Sequence, residues 1–210
     1  MQDWQDRTHD VNDIDALRAL YGLPGEAALA KEADRIHPLY RPFIAASPFV
    51  VLATGGPRGL DVSPRGDVAG FVEVPDEHTL LLPDRRGNNR IDSLRNLLHD
   101  PRMALLFLVP GCGEALRVNG KARVSVQPAL LQRFAIAGKA PRSVLVVEAE
   151  TVFFQCARAI LRSGLWDASR HVARDTLPSA GSILQALGRD GTDGTAYDAA
   201  LPARQRATLY

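Results

Sequence analysis

The chain has 210 residues, 46% of them hydrophobic, enough to bury one full core with appendages. Lys+Arg number 25 against Asp+Glu 24, so bulk charge excludes a protein built to grip polyanions, and any anion site must be local. No apolar run approaches the roughly 18 residues of a membrane span, MQDWQDRTHDVND lacks the features of a signal peptide, and two cysteines with five scattered histidines make neither a disulfide framework nor a zinc site.

The expectation is a cytoplasmic chain with no membrane partner, no structural metal and, with aromatics at 6%, no nucleic-acid partner. The first ten residues are polar and frayed; Asn12 or Asp13 then caps a helix carried by Ile14, Ala16, Leu17 and Leu20 and ended by Gly22. After Pro24 a second helix fits residues 26–36, and Pro38 opens a third through Leu39, Phe43 and Ile44. The period then changes. Residues 49–53 form a nearly all-apolar strand, and Gly55-Gly56-Pro57-Arg58-Gly59 turns it into a second strand over 60–63. DVSPRGD, residues 61–67, sets Pro64 and Gly66 on either side of Arg65 just beyond that strand. A second hairpin pairs residues 71–74 with 79–82 around Pro75-Asp76-Glu77.

LLLPDRRGNNRIDSLRNLL, residues 80–98, runs from an apolar strand through a polar loop into an amphipathic helix. Ile91, Leu94, Leu97 and Leu98 recur at helical spacing and leave Arg90, Asp92, Ser93 and Arg95 for other faces. Asp100-Pro101 ends the helix, and MALLFLV, residues 103–109, reads as a strand buried on both faces. Beyond the Pro110-Gly111-Cys112-Gly113 turn, residues 114–126 alternate, with Leu116, Val118, Ala122, Val124 and Val126 on one side and Gly120 as a bulge. Pro128 opens a helix over 128–138, residues 143–154 make a long strand, and residues 155–162 form a helix ahead of Ser163-Gly164-Leu165-Trp166. Past Gly188 periodicity is lost, as in a mobile tail or a subunit-crossing arm. The strands suggest a small closed or nearly closed barrel.

Neither a GxSxG elbow, a GxGxxG turn nor a P-loop occurs, so hydrolase and dinucleotide-fold readings have no support. What remains is Arg65, Arg85, Arg86 and Arg90 around one strand-to-helix loop. Guanidinium forks match phosphate geometry, and loop amides at 87–89 with the helix dipole would complete an anion shell.

SPRGD, the DRRGNNRIDSLRNLL loop-helix, PG with LRVNG, and the late RSGLW occur in that order. Over residues 49–166 the chain resembles the pyridoxamine 5'-phosphate oxidase-like family of FMN-binding split barrels, in its bacterial branch of FMN-dependent enzymes. The resemblance implies an α+β, predominantly antiparallel fold: a six- to seven-stranded split barrel with flanking helices and a helical lead-in. With the helical lead-in and the aperiodic tail read above, the expected division is a helical extension over 1–46, the FMN-binding domain over 47–187 and the tail over 188–210. It also implies a homodimer with FMN in two clefts between subunits, acting on a small-molecule substrate or electron donor.

By the same resemblance, Arg65 and the loop residues Asn88, Asn89 and Arg90 bind the FMN phosphate, with Arg86 as the alternative to Arg90. The backbone of Leu82, Pro83 and Asp84 lines the isoalloxazine edge and Arg117 approaches from the second subunit; the expectation for the late motif is that Trp166 covers an apolar part of the flavin site and Arg162 faces its polar rim. The segment with which the true oxidases grip vitamin B6 phosphate has no counterpart here. The implied activity is an FMN-dependent oxidoreductase passing hydride through flavin N5; its rivals are a flavin carrier or sensor, and a split-barrel enzyme using F420 or acting on haem.

Overall fold

The computed structural model describes residues 5–188 and 191–210; part of the expected frayed N-terminus and the start of the expected tail lie outside the described residues. The chain divides into two compact units, Met1–Glu32 and Ala33–Tyr210.

The first unit holds α1, Ile14–Tyr21, and α2, Glu26–Ala30. Asp13, rather than Asn12, caps α1, its carboxylate accepting from the Asp15 and Ala16 amides; Gly22 ends the helix at φ 72°, a backbone only glycine adopts without strain. The second helix is half the expected length. Ala33 instead pairs with Val152 in the second unit, and Ile36, whose apolarity suggested a helix face, is a core residue whose N–H donates to Glu77.

In the second unit α3, Arg41–Ala46, precedes a hairpin of β1, Phe49–Gly56, and β2, Gly59–Gly66. Then come β3, Thr79–Asp84; α4, Asp92–His99; β4, Arg102–Leu108; β5, Ala115–Ser125; α5, Pro128–Arg133; and β6, Ser143–Gln155. Among the described residues five helical stretches follow: α6, Arg158–Ser163, two short 3₁₀ turns, α7, Ala180–Leu187, and α8, Gly194–Ala207.

Among the described residues six strands make one antiparallel sheet in the order β2-β1-β4-β5-β6-β3, curled into a half-barrel. The seventh possible strand is absent from it: residues 71–74 supply only the bridge between Glu73 and Leu81, because Phe71 and Val72 turn into the core instead of continuing a ladder. Leu52, Leu80, Leu82, Leu105, Phe107, Leu116, Val118, Leu145 and Val152 fill the concave side. β4 is buried on one face only: Met103, Leu105 and Phe107 are buried while the alternate residues are half-covered, the period-two pattern of a wall with one outward side.

The bulge at Gly120 is present, but its extra residue is Glu150 on β6, since Asn119 pairs with Thr151 and Gly120 with Ala149. A Cβ at position 120 would run into the Glu148 carbonyl, so glycine is required for the close approach of the two backbones. The helix expected over 128–138 stops at Arg133; Ala137 at φ 49° and Gly138 at φ 77° turn the chain back through an Ile136–Lys139 bridge. Past Gly188, where the sequence has no helical period, Asp193 caps the 14-residue α8, with Pro202 inside it. Among the described residues no helix is long and apolar enough to cross a membrane.

Candidate anion and cofactor site

An inverted edge strand builds the site. In β2 the polar residues Asp61, Ser63 and Arg65 are half-buried, while Leu60 and Val62 are 90% and 67% exposed. The register gives the reason: Arg65 faces Val50 and Ser63 faces Leu52, both core residues of β1, so this polar row shares the concave face. Arg65 therefore lies within the strand, one residue from its end, and not beyond it. Inward charges on an edge strand also discourage further strand addition.

The polar row is the set of pins that hold the central loop-helix. Ser93 donates to Asp61, and the buried Asn96 donates to Thr54 Oγ1 at 3.3 Å and to the Gly59 carbonyl at 3.4 Å. Ser93 thus belongs to the buried face of α4, contrary to its outward placement by periodicity; a hydroxyl can occupy that face because Asp61 waits for it. Arg65 closes the seam between the two edges of the sheet, its Nε 3.3 Å from the Asp84 carboxylate of β3, with 18% and 19% of the two side chains exposed. One residue past the end of each strand, Arg85 Nε donates to Asp67 at 2.7 Å, and the Asp67 side chain is fully buried.

Asp84 is the electrostatic centre. Burial pushes its carboxyl above the usual carboxylate range, only partly offset by Arg65 and Arg142. Arg142 donates to Asn89 at 2.9 Å, and its amide reaches the Asp84 carbonyl. Asn89 holds φ 60°, a left-handed conformation that asparagine tolerates and that bends the loop toward β6. Among the described residues two buried polar atoms make no hydrogen bond, Arg65 Nε, which Asp84 meets only as an ion partner, and Ser143 Oγ, on the cross-strand neighbour of Asp84. Orphaned polar atoms inside a protein cost free energy unless something meets them. Two guanidiniums, a left-handed loop and an unmet buried hydroxyl fit a phosphorylated ligand.

Of the residues expected at the site, Arg65, Asp84 and Asn89 come together. Pro83 is buried beside them in an edge strand, where a missing N–H is tolerated, and the Leu82 side chain is core, leaving only its backbone to offer. Arg86, Asn88 and Arg90 are exposed on the same loop; Asn88 accepts from the Arg90 amide, and Arg90 pairs with Asp92 at 2.9 Å. Arg117 faces outward, opposite Leu106 in the register and 5.0 Å from the Phe153 ring centroid, so the pleat puts it on the other side of the sheet from Arg65. Trp166 donates to the Cys112 carbonyl at 2.7 Å in the β4–β5 turn, and Arg162 is exposed on α6.

Sequence reasoning missed Asp67, Arg142, Ser143 and Tyr210 as site residues, and it treated Arg85 only as one loop cation among four. Asp67 stands in the noticed SPRGD motif and Arg142 stands directly before a strand, but nothing local marks Tyr210. A separate open cleft of about 360 Å³ has Arg41, Val74 and Arg133 in its wall. Its guanidiniums are already engaged, by the Val74 carbonyl and by Glu73.

A curled six-stranded antiparallel sheet with a loop-helix pinned across its first hairpin defines an α+β split-barrel protein. The chain belongs to the pyridoxamine 5'-phosphate oxidase family, whose model matches residues 36–156, more than half of its length. No curated protein matches the chain. Among solved structures it is similar to HupZ of Group A Streptococcus, at 16% identity over 55% of this chain and 90% of that one, TM-score 0.45. A protein related to general stress protein 26, from Clostridium acetobutylicum and of the pyridoxinephosphate oxidase family, matches at 13% identity over 55% and 84%, TM-score 0.41. An FMN-binding protein from Syntrophomonas wolfei matches at 11% identity over 67% and 95%, TM-score 0.41.

Proposed function

We propose that the protein is a cytoplasmic FMN-dependent oxidoreductase acting on a small-molecule substrate, working as a homodimer with its flavin sites between subunits. The observation that carries the reading is the meeting of Arg65, Asn89 and Arg142 around Asp84, with the buried Ser143 hydroxyl unmet beside it, in a chain of the pyridoxamine 5'-phosphate oxidase family. FMN supplies hydride transfer through its N5 when bound.

The protein's own residues hold and orient it. Arg65 and Arg142 give the phosphate charge-assisted hydrogen bonds from opposite sides of the seam, and the exposed loop with Arg86, Asn88 and Arg90 closes over it. Asp84 keeps the Arg65 guanidinium oriented and Asn89 that of Arg142, and the disfavoured charge of Asp84 lowers its competition with the phosphate. The backbone of Leu82, Pro83 and Asp84 offers the edge against which a ring system lies. Leu60 and Val62, apolar and exposed on the edge strand, support a subunit interface there. On that arrangement Arg117, Arg162 and Trp166 serve the partner's flavin rather than their own, because the sheet separates Arg117 from Arg65.

Titration of the purified protein with FMN tests the reading: flavin fluorescence is quenched on binding. Arg65→Ala weakens the affinity about 10- to 150-fold, the loss of about 1.5–3 kcal/mol carried by a hydrogen bond to a charged group. An absence of quenching by the wild type would sink it. Anaerobic bleaching of the bound flavin by NADH or NADPH at catalytic rates distinguishes an oxidoreductase from a carrier.

A further inference from the structure

Beyond α8 the chain comes back to the seam. The Tyr210 hydroxyl donates to Asp67 Oδ1 at 2.7 Å, while Asp67 Oδ2 accepts from Arg85 Nε at 2.7 Å. The Arg85 guanidinium stands 5.7 Å from the Tyr210 ring centroid and donates to the Phe134 carbonyl at 2.6 Å. Lys139 Nζ donates to the Tyr210 carbonyl at 3.2 Å. One residue thus touches three separate pieces of chain: the end of β2 through Asp67, the start of the 85–91 loop through Arg85, and the turn ahead of β6 through Lys139.

Those three pieces carry the cations assigned to the phosphate. Arg65 lies two residues before Asp67, the loop residues Arg86 to Arg90 follow Arg85, and Arg142 lies three residues after Lys139. No sheet hydrogen bonds join β2 to β3, because they are the two edges of the half-barrel, so their spacing at the seam depends on side chains. Arg85 is itself unsuited to be a ligand: Asp67, the Phe134 carbonyl and the Tyr210 ring occupy it. It is an anchor at one end of the loop, as Ser93 on Asp61 is an anchor at the other.

We propose that Tyr210 is a positioning residue of the anion site, a brace that bonds Asp67, covers Arg85 and meets Lys139, and so holds the seam at the width that Arg65, the 85–91 loop and Arg142 need to share one phosphate. This rests on the flavin reading for the identity of the ligand, but the bracing itself does not. The chemistry is consistent at both ends of the Tyr210–Asp67 bond. Burial opposes the Asp67 charge, yet the Tyr210 hydroxyl, the Val68 amide and Arg85 together hold its carboxyl below the usual range. The hydrogen bond to Asp67, with burial, pushes the Tyr210 phenol up and keeps it a donor.

Amide hydrogen exchange on the flavin-free full chain and FMN titration are compared for the wild type, Tyr210→Ala, Tyr210→Phe, Asp67→Asn and the Tyr210→Phe, Asp67→Asn double variant. Tyr210→Ala speeds exchange across residues 85–91 and weakens FMN binding, each about tenfold, the scale of one charge-assisted hydrogen bond, while the core strands keep their protection. Tyr210→Phe keeps the ring over Arg85 and recovers part of both losses; in the Asp67→Asn background it adds less than it does alone, since the charge that strengthens the bond is gone. Unchanged exchange at 85–91 in Tyr210→Ala overturns the proposal. Tighter FMN binding by that variant also overturns it, because Tyr210 would then be an occluding plug. If the wild type binds no FMN, the flavin reading fails, and the exchange data alone still decide the brace.

Discussion

Asp67 and Asp84 are neighbours across one seam and are driven in opposite directions. Asp67 meets a phenol, an amide and a guanidinium and titrates low, whereas Asp84 is dominated by burial and titrates high. The consequences for stability follow by linkage. The Asp67 contribution is complete above the ordinary carboxylate value of 3.8 and is lost as the pH falls below it. The stabilisation from protonated Asp84 is complete below 3.8 and is lost as the pH rises through its raised value. Urea melts of Asp67→Asn and Asp84→Asn between acid and neutral pH therefore diverge from wild type with opposite slopes: neutral pH favours the wild type over Asp67→Asn and Asp84→Asn over the wild type. Slopes of the same sign in both would mean that the two carboxylates have been assigned the wrong partners. None of this was legible from residue type, because an aspartate in SPRGD and an aspartate in LLLPD look alike until their neighbours are known.

Among the elements, α4 shows where periodicity succeeds and where it is incomplete. Leu94 and Leu97 pack on the core as their spacing predicts, but Leu98 is 77% exposed while Ser93 and Asn96 are buried at 3% and 6%. The polar residues win those places because Asp61 and Thr54 present hydrogen-bonding partners that a leucine cannot use. Gly56 is the matching half of the contact, since any side chain there would collide with Asn96. Asn96→Ala should accordingly cost about 1–3 kcal/mol, the penalty for leaving buried partners unmet, in a denaturant melt. A loss within a few tenths of a kcal/mol would show that α4 is held by its leucines alone. Gly120→Ala forces the β5 and β6 backbones apart at the bulge and should cost about 1–3 kcal/mol by overpacking. The strand over residues 71–74 and the long helix over 26–36 failed as expectations for a shared reason: Phe71, Val72 and Ile36 satisfy an apolar pattern by entering the core from irregular backbone.

For the whole molecule, the inverted strand β2 makes the strongest statement. A soluble edge strand ordinarily turns its apolar side inward, but here Asp61, Ser63 and Arg65 face the barrel and Leu60 and Val62 face away. A homodimer gives that outer face something to cover. Sedimentation equilibrium should then return twice the 22.8 kDa of one chain. Leu60→Lys should shift the mass toward the monomer and weaken FMN binding with it, since each site would lose the groups supplied across the interface. A wild-type monomer that still binds FMN would show that one chain suffices.

The sequence by itself determined the class of fold and pointed to the strand-to-helix loop over 85–91 as the candidate anion site. Strand period, turn residues and the ordered motifs from SPRGD to RSGLW are local signals, and local signals survive without coordinates. It did not decide which of the arginines are free to meet a ligand or that Tyr210 bonds Asp67 at the seam. Arg85 and Arg86 are adjacent and chemically the same, yet one is locked to Asp67 and the other is exposed. Tyr210 stands 143 residues from its hydrogen-bond partner. Only the curl of the sheet, which brings the edges β2 and β3 to one seam and returns the chain beyond α8 to it, makes those distinctions, because they depend on distance in space between groups that no periodicity relates.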